Sequence, residues 1–180
     1  MGVMYDYFAA PSDEAAAATI DLPGGPGGPL SPLPMPFRDL VAKYGLEGSR
    51  RFLKSTVRVS DAGIPALFTK GFDPTTDLSA VHALLTGGRP DVVLDQLGYA
   101  VIAERDGGER LILSISAEVR DSLAASTPGD LQSAATEWVE VKAPYRQVDV
   151  EGISGLLEQL AELARMAGDR GDRLYCWVCV

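Results

Sequence analysis

The sequence predicts a single α+β domain: a small mixed or antiparallel sheet that includes the first and last strands, packed by several helices. Three observations carry this. Alternating strand-like segments open the chain, recur around a glycine turn in its middle and close it, while the stretches between them have helical spacing. Downstream of Pro36 there is no linker long enough to separate domains, and no internal repeat. At 180 residues, 46% hydrophobic and 23% charged, the composition is that of a globular protein able to build one sizeable core.

Val3, Tyr5 and Tyr7 alternate with Met4, Asp6 and Phe8, the period-two pattern of a first strand. Pro11-Ser12-Asp13-Glu14 opens a short alanine helix, with Ser12 as N-cap and acids in the first turn, where they meet unsatisfied N–H groups. Leu22 to Pro36, LPGGPGGPLSPLPMP, cannot propagate a helix or a central strand; it is expected as a long surface loop or a partly disordered one. Phe37 to Lys54 is expected to be helical in two pieces broken near Gly45, and Thr56 to Arg58 and Pro65 to Thr69 to be short and extended. Asp73-Pro74 begins a turn, and Thr76 or Asp77 caps a helix with Leu78, Val81, Leu84 and Leu85 at helical spacing. Gly87-Gly88 ends it, since glycine readily takes the left-handed conformation that closes helices. A short helix around Asp91 to Leu97 follows Pro90.

Tyr99 to Glu104 and Arg110 to Ile115 flank Asp106-Gly107-Gly108, the best hairpin signal in the chain. Ala117 to Ala125 is the next helix. Thr127-Pro128-Gly129-Asp130 starts another, with a capping hydroxyl, a proline in the first turn and an acid three residues on. Leu131, Ala134, Ala135 and Trp138 form its apolar face. The longest helix, Glu151 to Ala167, carries Ile153, Leu156, Leu157, Leu160, Leu163 and Ala164 as one stripe and is expected to pack on the sheet. Gly168 to Asp172 then turns the chain into the final strand.

The net charge of −9 argues against a nucleic-acid partner, because phosphate binding needs clustered Lys and Arg. The densest basic stretch, Arg50-Arg51-Phe52-Leu53-Lys54, reads as a solvated helix face or salt-bridge partners. No apolar run approaches the roughly 18 residues of a membrane span. Met1 to Ala10 lacks the order of a signal peptide, and Asp6 stands where N-myristoylation wants Ser or Thr. A cytoplasmic protein with reduced thiols is the expectation.

The two cysteines, Cys176 and Cys179, have redox-motif spacing. A thioredoxin-like pair sits at a helix N-terminus, whereas these lie in a strand run, where side chains three apart point to opposite faces. Structural zinc needs four ligands and His82 is the single histidine, so no metal or cofactor site is predicted. His82 lies between Leu78 and Leu85 on the apolar side of its helix, the setting of a packed histidine or, alternatively, of a cleft. Glu137 and Glu140 flank Trp138 on one helix face; such a pair does acid–base work only if one member is desolvated. Arg170-Gly171-Asp172 is turn chemistry.

The string Val81-His82-Ala83-Leu84-Leu85-Thr86-Gly87 is followed by a hairpin, a helix near Glu118-Val119, a Leu131-to-Trp138 helix, a long amphipathic helix and a closing strand with Leu174-Tyr175-Cys176-Trp177. This order resembles the YfbM-like family of small bacterial proteins, in an actinobacterial offshoot, over residues 73 to 180 and weakly at the N-terminus. The family usually has an aromatic residue three before the histidine, where this chain has Ser79. The resemblance implies a compact α+β fold with helices around a small sheet, and no reaction.

Two functional expectations follow, from different classes. One is an acidic binding module for a protein partner or small ligand, working through the 22–36 loop and a groove near His82 and Trp138; its charge favours a basic partner. The other is a small hydrolase with His82 as general base and a carboxylate such as Asp77 or Glu137 beside it.

Overall fold

Seven residues at each end of the chain become neighbouring central strands. In the computed structural model, which describes residues 3–28, 42, 58–60, 63–88, 99–142 and 149–180, β1 (Met4–Ala10) runs antiparallel to β6 (Arg173–Cys179), from Met4 opposite Cys179 to Ala10 opposite Arg173. On one side of this pair lie β3 (Pro65–Lys70) and the two-residue β2 (Arg58–Val59); on the other lie β5 (Arg110–Ile115) and β4 (Val101–Arg105). The order is β2-β3-β1-β6-β5-β4 and every pairing is antiparallel. The α+β architecture, with the first and last strands in one antiparallel sheet, is the one the sequence predicts.

Strand alternation gives the sheet two different faces. Tyr5, Tyr7, Ala9, Leu67, Leu113, Ile115, Leu174, Cys176 and Val178 point into the larger core, under the helices. Phe8, Ala10, Ala66, Ile112, Tyr175 and Trp177 point into a smaller cluster on the opposite face.

The first face is covered by α2 (Ser79–Leu85), α3 (Ala117–Ala125), α4 (Pro128–Lys142) and α5 (Val150–Arg170). In α5, Leu157, Leu160, Ala161, Leu163, Ala164 and Ala167 are fully enclosed; burying one leucine stabilises by about 1.5–3 kcal/mol. Asp149 caps this helix at Gly152 N, and Gly171 closes it in the left-handed conformation at φ +72°. The helix therefore reaches Arg170, three residues beyond the predicted end, and the turn shrinks to Gly171 and Asp172. The Thr127–Asp130 capping box forms in both directions: Thr127 N–H donates to the Asp130 carboxylate at 2.9 Å and Asp130 N–H donates to Thr127 Oγ1 at 3.3 Å.

On the second face, among the described residues, lie α1 (Asp13–Ala17), capped by Ser12, and the turns that follow it. The described part of the Pro/Gly segment, residues 22–28, is no plain surface loop. Gly25 and Pro26 are buried, Gly27 N–H donates to the Asp6 carboxylate at 3.0 Å, and a Cβ on Gly25 would stand 2.7 Å from Asp6 Oδ2. Glycine lets this backbone pass over Asp6 and Trp177, a close approach that the glycine count alone did not reveal. Residues 29–36, Arg50 to Lys54 and the Asp91–Leu97 helix lie outside the described residues, as does the Phe37–Lys54 helical segment apart from position 42.

The helix start near residue 74 differs from expectation. Asp73, not Thr76 or Asp77, is the cap: its Oδ1 accepts from Thr75 N at 2.8 Å and Thr76 N at 2.9 Å, and Pro74 holds the first position. Pro74–Leu78 winds as one wide π-type turn before α2. The hairpin forms as predicted, with Asp106, Gly107 and Gly108 all at positive φ. Among the described residues no helix is long and apolar enough to cross a membrane.

Candidate functional site

The structure separates the residues that a His82-based hydrolase would need to bring together. Asp77, one turn before α2, is buried; its Oδ1 lies 2.7 Å from Lys142 Nζ and its Oδ2 accepts from Asp73 N at 3.0 Å. It ties the π-type turn to the end of α4. Glu137 and Glu140 are exposed on α4, so neither is desolvated. Trp138 is enclosed at 1% exposure, packed on Phe72 at 5.6 Å between ring centroids, with Lys142 Nζ 5.7 Å over its ring. It is a core residue beneath a cation.

His82 is half-buried on α2, and its Nδ1 lies 2.8 Å from Ser122 Oγ on α3. Ser122 itself donates to the Val119 carbonyl at 2.9 Å. With that single hydrogen committed, the shared bond to the imidazole is donated by Nδ1–H. A serine nucleophile requires the reverse, an imidazole that accepts the hydroxyl proton. The pair thus acts as a cross-brace between two helices. Burial lowers the His82 pKa, and the nearby Glu118 carboxylate offsets this in part. Ser122 was not singled out in the sequence because nothing in its local pattern marks a partner 40 positions away.

Beside this brace lies a buried polar seam. Tyr5 OH donates to Asp73 Oδ2 at 3.1 Å, Tyr7 OH donates to the Phe72 carbonyl at 2.8 Å, and Ser79 Oγ and Tyr99 OH share a hydrogen bond at 2.6 Å. Burial pulls the Asp73 carboxyl upward, but the hydrogen bonds from Thr75, Thr76 and Tyr5 together outweigh it and the pKa is lowered. Ser79, where the YfbM-like pattern carries an aromatic ring, is 1% exposed and tied to Tyr99.

Cys176 is fully enclosed under the helices, and burial pushes its thiol pKa well up. Cys179 packs on the opposite face. The thiols are free and divided by the sheet, as strand alternation predicted. Among the described residues no group of three or more His, Cys, Asp or Glu side chains is placed to hold a metal ion.

A concave feature lies elsewhere. Beside α1, where the start of β4, the end of β5 and the start of β6 meet, a cleft of about 370 Å³ forms. Its apolar walls are Ala100, Ile102, Ile115, Ala117, Leu174 and the Tyr175 ring. The polar groups are Asp13, Ser114, Arg120 and Arg173. Ile102 stands at an irregularity between Val101 and Ala103, where β4 slips out of step with β5; such bulges re-aim side chains and recur beside binding sites. Tyr175 OH donates to Asp13 Oδ1 at 2.8 Å, and Arg173 Nη1 reaches the same oxygen at 3.3 Å. Burial, then the Asp13 carboxylate, push the Tyr175 pKa up to about 12, so this hydroxyl stays protonated as a donor. None of the lining residues was a candidate in the sequence. They come from four separated segments, and only the fold assembles them.

No protein-family model, curated protein or solved structure matches the chain.

Proposed function

We propose that the chain is a cytoplasmic binding module that takes a small ligand in the cleft between α1, β4 and the start of α3. The observation that carries this reading is the cleft itself: about 370 Å³, apolar on its walls, with a few convergent polar groups, the usual make-up of a small-molecule site at the lower end of the ~300–1,000 Å³ range. The hydrolase reading has less support, since His82 is engaged with Ser122, Asp77 with Lys142, and Glu137 faces water. Kinship with the YfbM-like family is proposed on the Val81–Gly87 string and the order of elements, and it names no reaction.

The test is an NMR titration of the full chain with a fragment library. Binding at the cleft predicts shifts clustered on Ala100, Ile102, Ser114, Ala117 and Leu174, abolished by the cleft-filling substitution Ile102→Trp. Hits that shift other surfaces and persist in I102W would overturn the reading, as would a library that shifts none of these residues.

A further inference from the structure

The cleft is charged against the grain of the protein. The chain carries a net charge of −9, yet the cleft lining holds two arginines and one aspartate. The arginines differ in what they have left to offer. Arg120 is committed: Nε and Nη2 bind the Asp121 carboxylate at 2.8 and 2.7 Å, and Nη1 donates to the Asp172 carbonyl at 3.1 Å. Arg173 makes one long ion-pair contact, 3.3 Å to Asp13, beside the Tyr175 hydroxyl, and its side chain is 63% exposed. Most of its five donors face solvent, in the planar fork that matches a carboxylate. The positive end of α3 is already answered by Ser116, which accepts from Val119 N, and by Glu118, whose carboxylate bonds its own backbone N–H. Arg173 is therefore the available anion-binding group.

Asp13 occupies the complementary place. Its Oδ1 takes the Tyr175 hydroxyl and the Arg173 guanidinium together, two donors converging on one carboxylate oxygen at the mouth of an apolar cleft. Resting on the reading of this cleft as a ligand site, we infer that it selects a small carboxylate with an apolar body, and that Asp13 is the internal carboxylate that such a ligand displaces from Arg173. The ligand's tail would lie along Ala100, Ile102 and Tyr175. An amine ligand would instead seek Asp13, but both of the groups donating to that carboxylate would then have to give way.

Matched probes separate the possibilities. Hexanoate, hexanamide and hexylamine are titrated into the full chain and followed at the amides of Ala100, Ile102, Ser114, Ala117 and Leu174. Hexanoate is expected to bind about fivefold more tightly than hexanamide, the upper end for a solvent-exposed ion pair. Arg173→Gln should erase that preference, and Arg173→Lys should restore part of it. Asp13→Asn keeps an acceptor for Tyr175 but removes the competing charge, so it should raise the preference for hexanoate over hexanamide about threefold. Equal binding of hexanoate and hexanamide, preference for hexylamine, or a lower preference for hexanoate in D13N would overturn the carboxylate inference and leave the cleft reading standing. No shift at the five amides with any of the three probes would sink both.

Discussion

Treating the native protein with iodoacetamide should modify Cys179 and leave Cys176 intact. Cys176 has no exposed surface and sits in β6, hydrogen-bonded on one side to β1 and on the other to β5. No local opening exposes it; either ladder must break and the helices above must lift away. Its labelling is therefore governed by the global unfolding equilibrium. Even about 5 kcal/mol, the low end for a domain of this kind, suppresses it by on the order of 10³–10⁴-fold relative to an open thiol. The raised pKa adds to this, because the thiolate is the nucleophile. Pulse labelling across a urea series, with tandem mass spectrometry to tell the two cysteines apart, reads both rates. The logarithm of the Cys176 rate should rise linearly with urea at the slope of global unfolding. A disulfide should not form in the native state: three residues of strand place the cysteine Cβ atoms about 10 Å apart along the chain and on opposite faces, against the roughly 3.5–4.5 Å a disulfide requires. Equal native labelling of both thiols, or a disulfide on mild oxidation without denaturant, would refute the central position assigned to β6.

Two further outcomes are expected. Lys142→Ala leaves Asp77, whose side chain is 7% exposed, with only the Asp73 N–H as partner; the loss should be about 1–3 kcal/mol, between an exposed and a fully buried pair because Lys142 still meets water, and a urea midpoint corresponding to less than about 0.5 kcal/mol would show that the pair is idle. Because burial lowers the pKa of His82 below its usual 6.5, the unfolded chain binds the proton more readily, so stability is full above pH 6.5 and falls as the pH drops toward the folded pKa. As His82 is the single histidine, His82→Asn should flatten the fall between pH 7.5 and 5.5 in urea titrations; parallel wild-type and variant curves would contradict this.

What could be read in the sequence follows the range over which each signal acts. The Thr127–Asp130 box, the Gly87 stop and the Asp106–Gly108 hairpin are local, satisfied within a few residues, and formed where predicted, whereas the long helix runs past Gly168 and stops at Gly171. The faces of β1 and β6 were legible because alternation is strict, and the opposed cysteines follow from it. The cap was placed at Thr76 or Asp77 because Asp73-Pro74 reads equally as a turn; Pro74, which suits the first helical position, is the signal for a cap at Asp73. His82 shows the limit of the same approach. Helical spacing correctly put it on the inner side of α2, but its partner Ser122 belongs to a helix whose docking angle no local pattern encodes.

The cleft is further still from local sequence, and the reason is physical. It lies at the margin of unequal cover: among the described residues four helices shield one face of the sheet, and the five-residue α1 packs on the other. A helix of five residues spans about 7.5 Å, whereas strands about 4.8 Å apart make a six-stranded sheet roughly 24 Å wide. The turns up to Gly28 cover Asp6 and Trp177, and Asp21 pairs with Arg105 and Arg110 at the hairpin end of β4 and β5; the cleft lies toward the other end of these strands, beside the irregularity at Ile102. Asp13 then stands at the rim because it is the first residue of that short helix, and Arg173 because it is the first residue of the strand beneath. The same short helix that borders the cleft thus sets its charged mouth, which is why Asp13 and Arg173 are the positions where substitution should change ligand preference with little effect on the fold.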